Sequence, residues 1–461
     1  MRIRGGFTPR IAGRPLSVVE QISVPDKMFI ALEQNGLSYT SLIQNEQKIQ
    51  FGDPIAEADI KGGKLYLPAP VTGIAGLTNA TKQIILETTD SEVKNNIFEV
   101  KKPQNITKNK IRENLSKSGI WPFFWSSETE GIPSLNPSEQ PKAIIVNSLL
   151  TEPFRARGKV ILRCNWSWIV EGLKYLPRLL ADYGKVEIVL TNKRDPVAVN
   201  MYDDLAGHAW VRFHPTKLKY PIENPFLLSK LFRKHHLYLS KSDTIWVINI
   251  QGVGAIGRCL AEGVPLHRRI IALGGPGNPN PKHISARIGT PVKHILTEKT
   301  NEEDVTILRG GILTGYPINF NKDSVNYTDD AFFFLPNLKK REFLSFLRPG
   351  FTKTSYMPIF ISKITRAYDS NITATFRGEK RPCIACGLCE KICPVNMLPQ
   401  VLHRYLYNDG LDEALKTGLN LCIFCRLCTF VCPSKINLDY QFKTAIELID
   451  AEKLESQKSN E

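Results

Sequence analysis

Long apolar runs are absent from this chain of 461 residues. The longest candidate, TIWVINIQGVGAIG from Thr244, is shorter than the ~18 residues that a helix needs to cross a bilayer, and glycines interrupt it. The beginning of the sequence, MRIRGGFTPRIAGRP, lacks the apolar stretch of a secretory signal. We therefore expect a protein with no transmembrane segment of its own.

Negative charge is also scarce, because 45 acidic residues stand against 60 basic ones and give a net charge of +15. This balance favours an acidic partner, such as anionic lipid headgroups, an acidic subunit or nucleic acid. The segment 212–241 carries seven Lys or Arg and a single acid, Glu223, and is either a solvated basic surface or a docking face. No nucleic-acid-binding motif accompanies the charge, so we expect no nucleic-acid partner.

Cysteine is rare as well, with ten residues in the chain, yet eight of them lie in two matched runs. The runs are CIACGLCEKICP from Cys383 and CIFCRLCTFVCP from Cys422, and both follow the spacing C-x2-C-x2-C-x3-C-P. In bacterial ferredoxins this spacing holds two 4Fe-4S clusters, and the fourth cysteine of each run binds the other cluster. The predicted ligands are Cys383, Cys386, Cys389 and Cys432 for the first cluster, and Cys422, Cys425, Cys428 and Cys393 for the second.

Two other uses of the cysteines fit less well. Disulfide frameworks suit small secreted chains, and structural zinc takes two C-x2-C pairs without a third cysteine or a proline. The remaining Cys164 and Cys259 are each isolated among apolar residues, so we expect both to be small buried hydrophobic side chains.

The rest of the chain changes its pattern twice. Residues 27–100 contain short strands broken by glycine and proline, typical of a small barrel-sandwich domain with a hairpin at Gly62 and Gly63. From about residue 141, strands such as KAIIVNSLL, VEIVLTN, TIWVINI and RRIIALGG alternate with helical patterns, which predicts a largely parallel α/β layer. A small mixed α+β module follows to about residue 318.

The sequence GVGAIG from Gly252 matches the G-x-G-x-x-G pattern of dinucleotide-binding turns. The pattern also requires an acidic residue about 20 positions further on, at the end of the next strand. Here the next strand, RRIIALGG, ends at Gly274 and Gly275 instead. Close packing of a helix at a tight turn is the alternative, and we favour it.

This order of modules resembles the RnfC/NqrA family, the peripheral subunits of the Rnf complex and of the sodium-translocating NADH:quinone reductase. The segments IAGRP, SGIWPFF, WVINIQ, RIGTPV and REFLSFLRPG are most similar to the reductase branch, and the cysteine runs with NMLPQVLHRYLYNDG between them are similar to the Rnf branch. The resemblance implies a multidomain α/β and α+β protein with a barrel-sandwich hybrid (hammerhead-like) domain at 1–100, a Rossmann-like α/β domain at 101–267, a β-grasp (SLBB-like) module at 268–325, a connecting region at 326–380, a helical double 4Fe-4S ferredoxin domain at 381–452 and a disordered tail at 453–461.

The chain departs from both branches of the family. Reductase-branch subunits usually lack the cluster cysteines. Rnf-branch subunits carry a glycine-rich loop that cradles FMN and NADH phosphates, whereas this chain has KSGIWPFFWSSETEG at that place. Trp121 and Phe124 in this stretch are interpreted as packing residues or as a surface for a partner protein or a quinone ring. Glu152 stands where relatives place an acid near the nicotinamide nucleotide.

The resemblance implies a peripheral electron-transfer subunit on the cytoplasmic face of the inner (plasma) membrane, carrying two 4Fe-4S clusters in an ion-translocating NADH:quinone reductase. Its partners would be other subunits of an Nqr- or Rnf-type complex, with quinone as a possible ligand. FMN and NADH are expected on another subunit, so this chain is not expected to be catalytic alone. The alternatives are an Rnf-type subunit that itself binds NADH and FMN, and a docking subunit whose clusters only stabilise the fold.

Overall fold

The computed structural model describes residues 3–78, 82–191, 196–205, 207–236, 238–296, 303–337, 369, 372–374 and 379–458. Its strands are β1 (Val19–Gln21), β2 (Lys27–Ala31), β3 (Glu33–Gln34), β4 (Leu37–Ser38), β5 (Thr40–Ser41), β6 (Gln47–Ile49), β7 (Pro54–Ile60), β8 (Gly63–Pro68), β9 (Thr72–Thr78), β10 (Gln83–Asp90), β11 (Phe124–Ser126), β12 (Ala143–Asn147), β13 (Lys185–Leu190), β14 (Val211–Pro215), β15 (Ile245–Asn249), β16 (Arg268–Gly274), β17 (Lys282–Arg287), β18 (Val305–Arg309), β19 (Tyr316–Pro317) and β20 (Ala331–Pro336). Its α-helices are α1 (Lys108–Lys117), α2 (Gly158–Tyr175), α3 (Pro196–Leu205), α4 (Pro225–His235), α5 (Ile250–Glu262), α6 (Val292–Ile295), α7 (Leu388–Ile392), α8 (Pro399–Tyr407), α9 (Leu411–Lys416), α10 (Leu427–Val431) and α11 (Leu438–Lys458), with short 3-10 helices at Trp121–Phe123, Leu176–Leu179 and Leu419–Leu421.

The N-terminal region is built of short antiparallel strands. One sheet has the order β2-β10-β9-β6 and a second has the order β5-β7-β8. The predicted hairpin joins β7 to β8, where Ile60 pairs with Gly63 and both Gly62 and Gly63 have positive φ. Glycine adopts this left-handed backbone at little steric cost, which explains the turn.

The predicted α/β layer is a five-stranded sheet with the order β11-β15-β12-β13-β14, in which β15, β12, β13 and β14 are parallel and β11 is antiparallel. All five residues of β12 are buried, as expected of a parallel strand covered on both faces. Ile144 and Val146 pack into the same apolar cluster as α2 and α5, whereas Ile145 packs with α4 on the opposite face.

A second mixed sheet, with the order β1-β17-β16-β20-β18-β19, joins residues that are far apart in the sequence. The strand at RRIIALGG is β16 and belongs to this sheet, not to the parallel layer that its alternation with helices suggests. β1 pairs parallel to β17, so residues 19–21 leave the expected N-terminal domain. β20 extends the sheet past residue 325 into the expected connecting region.

The C-terminal region is helical, as expected. The apolar face of α11 is buried at Phe442, Ala445 and Ile449. On α8, Leu402 is inaccessible and Tyr405 is 37% exposed, and Leu398 just before the helix is 45% exposed. We expected a disordered tail from residue 453, but α11 continues to Lys458. The segment REFLSFLRPG lies outside the described residues.

Candidate iron–sulfur site

The two cysteine runs fold in the same way. In each run the residue after the second cysteine has positive φ, Gly387 at 69° and Arg426 at 58°, and it immediately precedes a five-residue helix, α7 or α10. The residue just before the second cysteine also has positive φ, at Ala385 and Phe424. The fourth cysteine ends each helix. Three of these four positive-φ residues are not glycine, which indicates a backbone that its surroundings hold in a sparsely populated conformation.

The first cavity of the helical region is lined by Cys383, Cys386 and Cys389 of the first run together with Cys432 of the second. Cys383 and Cys386 are exposed, whereas Cys389 and Cys432 are half-buried. The remaining wall is largely apolar and includes Leu388, Ile436 and Leu438.

The second cavity is lined by Cys422, Cys425 and Cys428 of the second run together with Cys393 of the first. Cys393 is buried and the other three are half-buried. Apolar side chains close the space around them, among them Val395, Met397, Leu427 and Phe442. The cysteines of this cavity are thus less accessible than those of the first one.

Four thiols around a small apolar cavity form the donor set that a 4Fe-4S cluster requires. The residues of both cavities therefore fit such a group, and each set takes three cysteines from one run and one from the other. Within the part of the chain that the structure describes, no group of three or more His, Cys, Asp or Glu side chains is placed to hold a single metal ion.

Burial opposes ionisation of the thiols in the second cavity. It raises the pKa of Cys422 to about 11 and that of Cys425 to about 12. Backbone N–H groups act in the opposite direction: Met397 N lies 3.4 Å from Cys393 Sγ, and the amides of Phe424 and Leu427 lower the pKa of Cys422 and Cys425. Since metal ligands must be thiolates, binding of iron here has to release protons.

The second cavity also borders the main body of the protein. The Tyr220 hydroxyl donates a 2.9 Å hydrogen bond to the backbone oxygen of Cys425, and Arg426 Nη1 donates one of 3.0 Å to Gly315 O. The amide of Gly6 donates to Ile392 O at 2.7 Å. Helices α7 and α10 therefore dock on the body, and one buried apolar cluster joins the two parts, made of Tyr220, Leu313, Leu388, Ile392, Leu427 and Val431.

The structure places Trp121 and Phe124 in the core. Trp121 is 0% and Phe124 1% exposed, and their rings lie 5.4 Å apart and each 5.4 Å from the ring of Trp246. Trp121 Nε1 donates to Pro133 O at 2.9 Å. These side chains are packing residues, and the alternative of a surface for a partner protein or quinone is wrong for them because neither is accessible.

Glu152 is buried and its carboxylate is occupied by the protein itself. It accepts hydrogen bonds from the amides of Leu313 and Thr314 at 2.8 and 2.7 Å and from the Thr314 hydroxyl at 2.6 Å, and it lies 3.8 Å from the Arg155 guanidinium. This geometry gives Glu152 a role in fixing the loop against which the second cysteine run docks.

Glu223, the single acid of the basic segment 212–241, lies beside Glu152 and is half-buried. It accepts hydrogen bonds from the amides of Thr151 and Glu152 at 3.1 and 2.7 Å, and burial raises its pKa. The spacing of acids in the sequence gave no signal for this pair, because 71 residues separate its members.

The GVGAIG stretch lies within α5 and serves helix packing. This is the alternative to a dinucleotide-binding turn that the sequence favours, because it lacks the acidic residue of such turns. A Cβ atom at Gly257 would meet the backbone oxygen of Trp168 on α2 at 1.8 Å, and one at Gly252 would meet Phe123 Cβ at 3.0 Å. The amide of Gly252 is already capped by Asn249 Oδ1 at 2.8 Å. The glycines thus allow α2 and α5 to approach closely.

The two cysteines outside the runs differ from each other. Cys259 is fully buried, as expected, whereas Cys164 is exposed, so the expectation of a buried side chain is wrong there. Cys164 lies on α2 next to a kink at Asn165, which has non-helical dihedral angles, and it borders a large cavity between α2 and α5.

Residues 106–265 match the family model described as "NqrA second alpha/beta domain", and residues 382–437 match "4Fe-4S dicluster domain". The A subunit of the Na(+)-translocating NADH-quinone reductase of Marinomonas sp. (strain MWYL1) is 24% identical over 428 residues, which is 90% of this chain and 91% of that protein. The chain resembles this reductase subunit. The corresponding proteins of Cellvibrio japonicus (strain Ueda107) and Rhodopirellula baltica are 26% and 25% identical, and each alignment covers 91% of this chain and 92% or 90% of the relative. The NqrA-like domain contains the parallel α/β layer, and the dicluster match contains the two cysteine runs.

Among solved structures, an NAD+-reducing [NiFe]-hydrogenase in the air-oxidized state is similar over 52% of this chain and 48% of that chain, with 10% identity and a TM-score of 0.37. The likeness spans about half of each chain. The described residues contain no helix that is both long and apolar enough to cross a membrane.

Proposed function

We propose that this protein is a peripheral electron-transfer subunit of an ion-translocating NADH:quinone reductase, similar to the A subunit of such complexes, and that it holds two 4Fe-4S clusters. Cys383, Cys386, Cys389 and Cys432 would bind one cluster, and Cys422, Cys425, Cys428 and Cys393 the other. The observation that carries the proposal is the composition of the two cavities, each lined by three cysteines of one run and the fourth cysteine of the other.

Thiolate-bound 4Fe-4S clusters supply one-electron transfer, at potentials that depend on hydrogen bonds to sulfur and on exposure to solvent. The residues of the chain set these conditions differently in the two cavities. Amides near Cys393, Cys422 and Cys425 would favour negative charge on sulfur, whereas the apolar walls would exclude water from the second cavity. The exposed Cys383 and Cys386 place the first cavity at the surface, within reach of a partner protein.

FMN and NADH are proposed to bind to another subunit of the complex. The segment at the position of the family's glycine-rich loop is filled by the buried rings of Trp121 and Phe124, and the backbone of α5 at Gly252 and Gly257 is covered by neighbouring residues. A phosphate-binding loop needs backbone that a ligand can approach. These observations support a protein that is not catalytic by itself.

The proposed location is the cytoplasmic face of the inner (plasma) membrane, bound to the other subunits of an Nqr-type complex that transports sodium and reduces quinone. The net charge of +15 supports docking against acidic groups. Because screened charges weaken beyond a Debye length of ~8 Å at physiological ionic strength, a docking contact of this kind weakens as salt rises.

The test is anaerobic reconstitution of the full chain with iron and sulfide, followed by titration with NADH with and without FMN and then with a chemical reductant. We expect about eight irons per chain, no bound flavin, clusters that the chemical reductant reduces reversibly, and no change of cluster absorbance with NADH.

Two outcomes would each replace the proposal by an alternative. Bleaching of the clusters by NADH, alone or after FMN is added, would favour the Rnf-type subunit that binds both molecules. Clusters that decompose on reduction instead of cycling would favour a docking subunit in which they only stabilise the C-terminal fold.

A further inference from the structure

A cavity of about 570 Å³ lies between α2, α5 and the strands β16 and β17, far in sequence from both cysteine runs. Its volume falls within the range of roughly 300–1,000 Å³ that is usual for small-molecule sites. One part of its wall is apolar, with Val93, Trp168, Val264 and Leu266. The other part is basic, with Arg258, Arg268, Arg269, Arg287 and His267.

The charge of this wall is not balanced by its own residues, because none of the described residues that line the cavity is acidic. Carboxylates outside this lining act on two of its arginines: Glu262 Oε2 lies 3.6 Å from Arg258 Nε, and Asp90 acts on Arg287. Burial lowers the pKa of Arg287 to about 10, so it remains a cation at neutral pH.

Arg268 and Arg287 are partners across β16 and β17, and Arg268 and Arg258 both also lower the pKa of Arg287, so the three guanidinium groups face one space. The guanidinium of Arg269 instead packs over the ring of Phe123 on the opposite face of the sheet.

Two guanidinium nitrogens of this wall have no hydrogen-bond partner among the described residues although they are buried. They are Nε and Nη1 of Arg287, whose side chain is only 3% exposed. Because a buried charged donor without a partner is costly, this arrangement indicates that something other than protein satisfies these groups.

Other atoms of the arginine side chains in this wall are held firmly. Arg287 Nη2 donates to Ser91 O at 2.6 Å, Arg268 Nη2 donates to Ile22 O at 3.2 Å, and the Arg258 guanidinium lies 4.5 Å from the ring centre of Trp168. His267 Nδ1 lies 2.8 Å from Pro265 O, which assigns the proton to Nδ1 and leaves Nε2 to accept from Arg258 Nη1 at 3.2 Å. The donors are therefore fixed in place before any ligand arrives.

We propose that this cavity binds a small organic phosphate, with the phosphate oxygens on Arg258, Arg268 and Arg287 and the organic part against Trp168, Val264 and Leu266. Guanidinium groups match the geometry of phosphate oxygens in paired hydrogen bonds. A phosphate monoester carries about two negative charges at neutral pH, which suits several cations around one space better than the single charge of a carboxylate. The proposal is independent of the function proposed for the cysteine runs.

The experiment uses the full chain with its iron–sulfur content restored anaerobically. Inorganic pyrophosphate and ADP are titrated by calorimetry and by thermal unfolding, against sodium chloride at matched ionic strength and against citrate as a carboxylate probe. We expect pyrophosphate or ADP, but not chloride, to raise the unfolding temperature. We also expect tighter binding of the phosphates than of citrate.

Arg287→Met and Arg258→Met should each weaken phosphate binding by about ten- to a hundredfold, since each removes hydrogen bonds from a charged donor. Arg268→Gln is a third test variant. Because Arg268 is only half-buried, this variant should fold even if the variants at more buried positions do not. The matched control is Arg112→Met, because Arg112 is also 3% exposed with an unpartnered Nε but does not line this cavity.

An unchanged affinity in all three cavity variants, an equal stabilisation by chloride, or tighter binding of citrate than of both phosphate probes would overturn the proposal. Iron content and cluster absorbance should be unaffected by the probes, which separates this site from the cysteine cavities.

Discussion

The crossed arrangement of the cysteines makes a prediction about pairs of variants. Cys393 belongs to the first run in sequence, but in the structure it lines the cavity of Cys422, Cys425 and Cys428. Replacing Cys393 by alanine should therefore disturb the same cluster as Cys425→Ala, and not the one disturbed by Cys386→Ala. Cys432→Ala should behave in turn like Cys386→Ala, since both line the first cavity.

The magnitudes follow from the cavity compositions. With about four irons in each cavity, any one of these variants should lose up to about four of about eight irons per chain. The double variant Cys393→Ala/Cys425→Ala should lose no more than about four, because both changes act on one cluster. The double variant Cys393→Ala/Cys386→Ala should approach complete loss, because the changes act on separate sites and add.

The assay is iron and acid-labile sulfide content after anaerobic reconstitution, together with electron paramagnetic resonance of the reduced protein to compare the surviving signals. Cys259→Ala is the control, because Cys259 is a buried cysteine outside both cavities and its removal should leave about eight irons in place. If Cys393→Ala shares its surviving signal with Cys386→Ala and not with Cys425→Ala, the crossed assignment is refuted.

Three further predictions concern the remainder of the molecule. Tyr220→Phe removes the hydroxyl that donates to Cys425 O at 2.9 Å and should destabilise the docking of α10 by about 1 kcal/mol, seen as faster amide hydrogen exchange in residues 425–431, with unchanged exchange in α4. Asp329→Asn should flatten the pH dependence of the free energy of unfolding, because burial raises the pKa of Asp329 from 3.8 to about 6 in the folded protein. In the wild-type protein, the stability contributed by this group is fully present below pH 3.8 and is lost as the pH rises through 6. If the slope of unfolding free energy against pH, measured by chemical denaturation over this interval, is the same in the variant, the assignment is contradicted. Gly257→Ala should cost about 3 kcal/mol or more, because its Cβ would lie 1.8 Å from Trp168 O, whereas Gly76→Ala, with no atom within 4 Å of the added Cβ, should change thermal stability little.

The parts of the structure that the sequence predicted correctly are those set by local spacing. The hairpin at Gly62 and Gly63 and the buried strand at Ala143–Asn147 follow from turn chemistry and from the pattern of apolar residues. The ferredoxin-type spacing, in which the fourth cysteine of each run crosses to the other group, predicted the same two groups of cysteines that line the two cavities. Their binding of clusters stays a prediction.

What the sequence could not predict depends on pairing between distant residues. The parallel pairing of Val19–Gln21 with β17 joins strands more than 260 residues apart, and no local pattern specifies that register. The basic cavity was missed for the same reason, because Arg258 is on α5, Arg268 on β16 and Arg287 on β17, and no local pattern brings the three arginines together. The one available signal was the run Arg268-Arg269 at the start of a strand that is otherwise wholly apolar.

The contact of Gly6 with Ile392 bears on the order in which the protein is completed during translation. The amide of Gly6 and the ring of Phe7 contact the domain that holds the cysteine runs, which the ribosome produces almost 390 residues later. At about 5–20 residues per second this is a wait of roughly 20–80 seconds. The segment around Gly6 therefore leaves the ribosome long before the helices that it contacts, and it can take its final position only after both cysteine runs have been made.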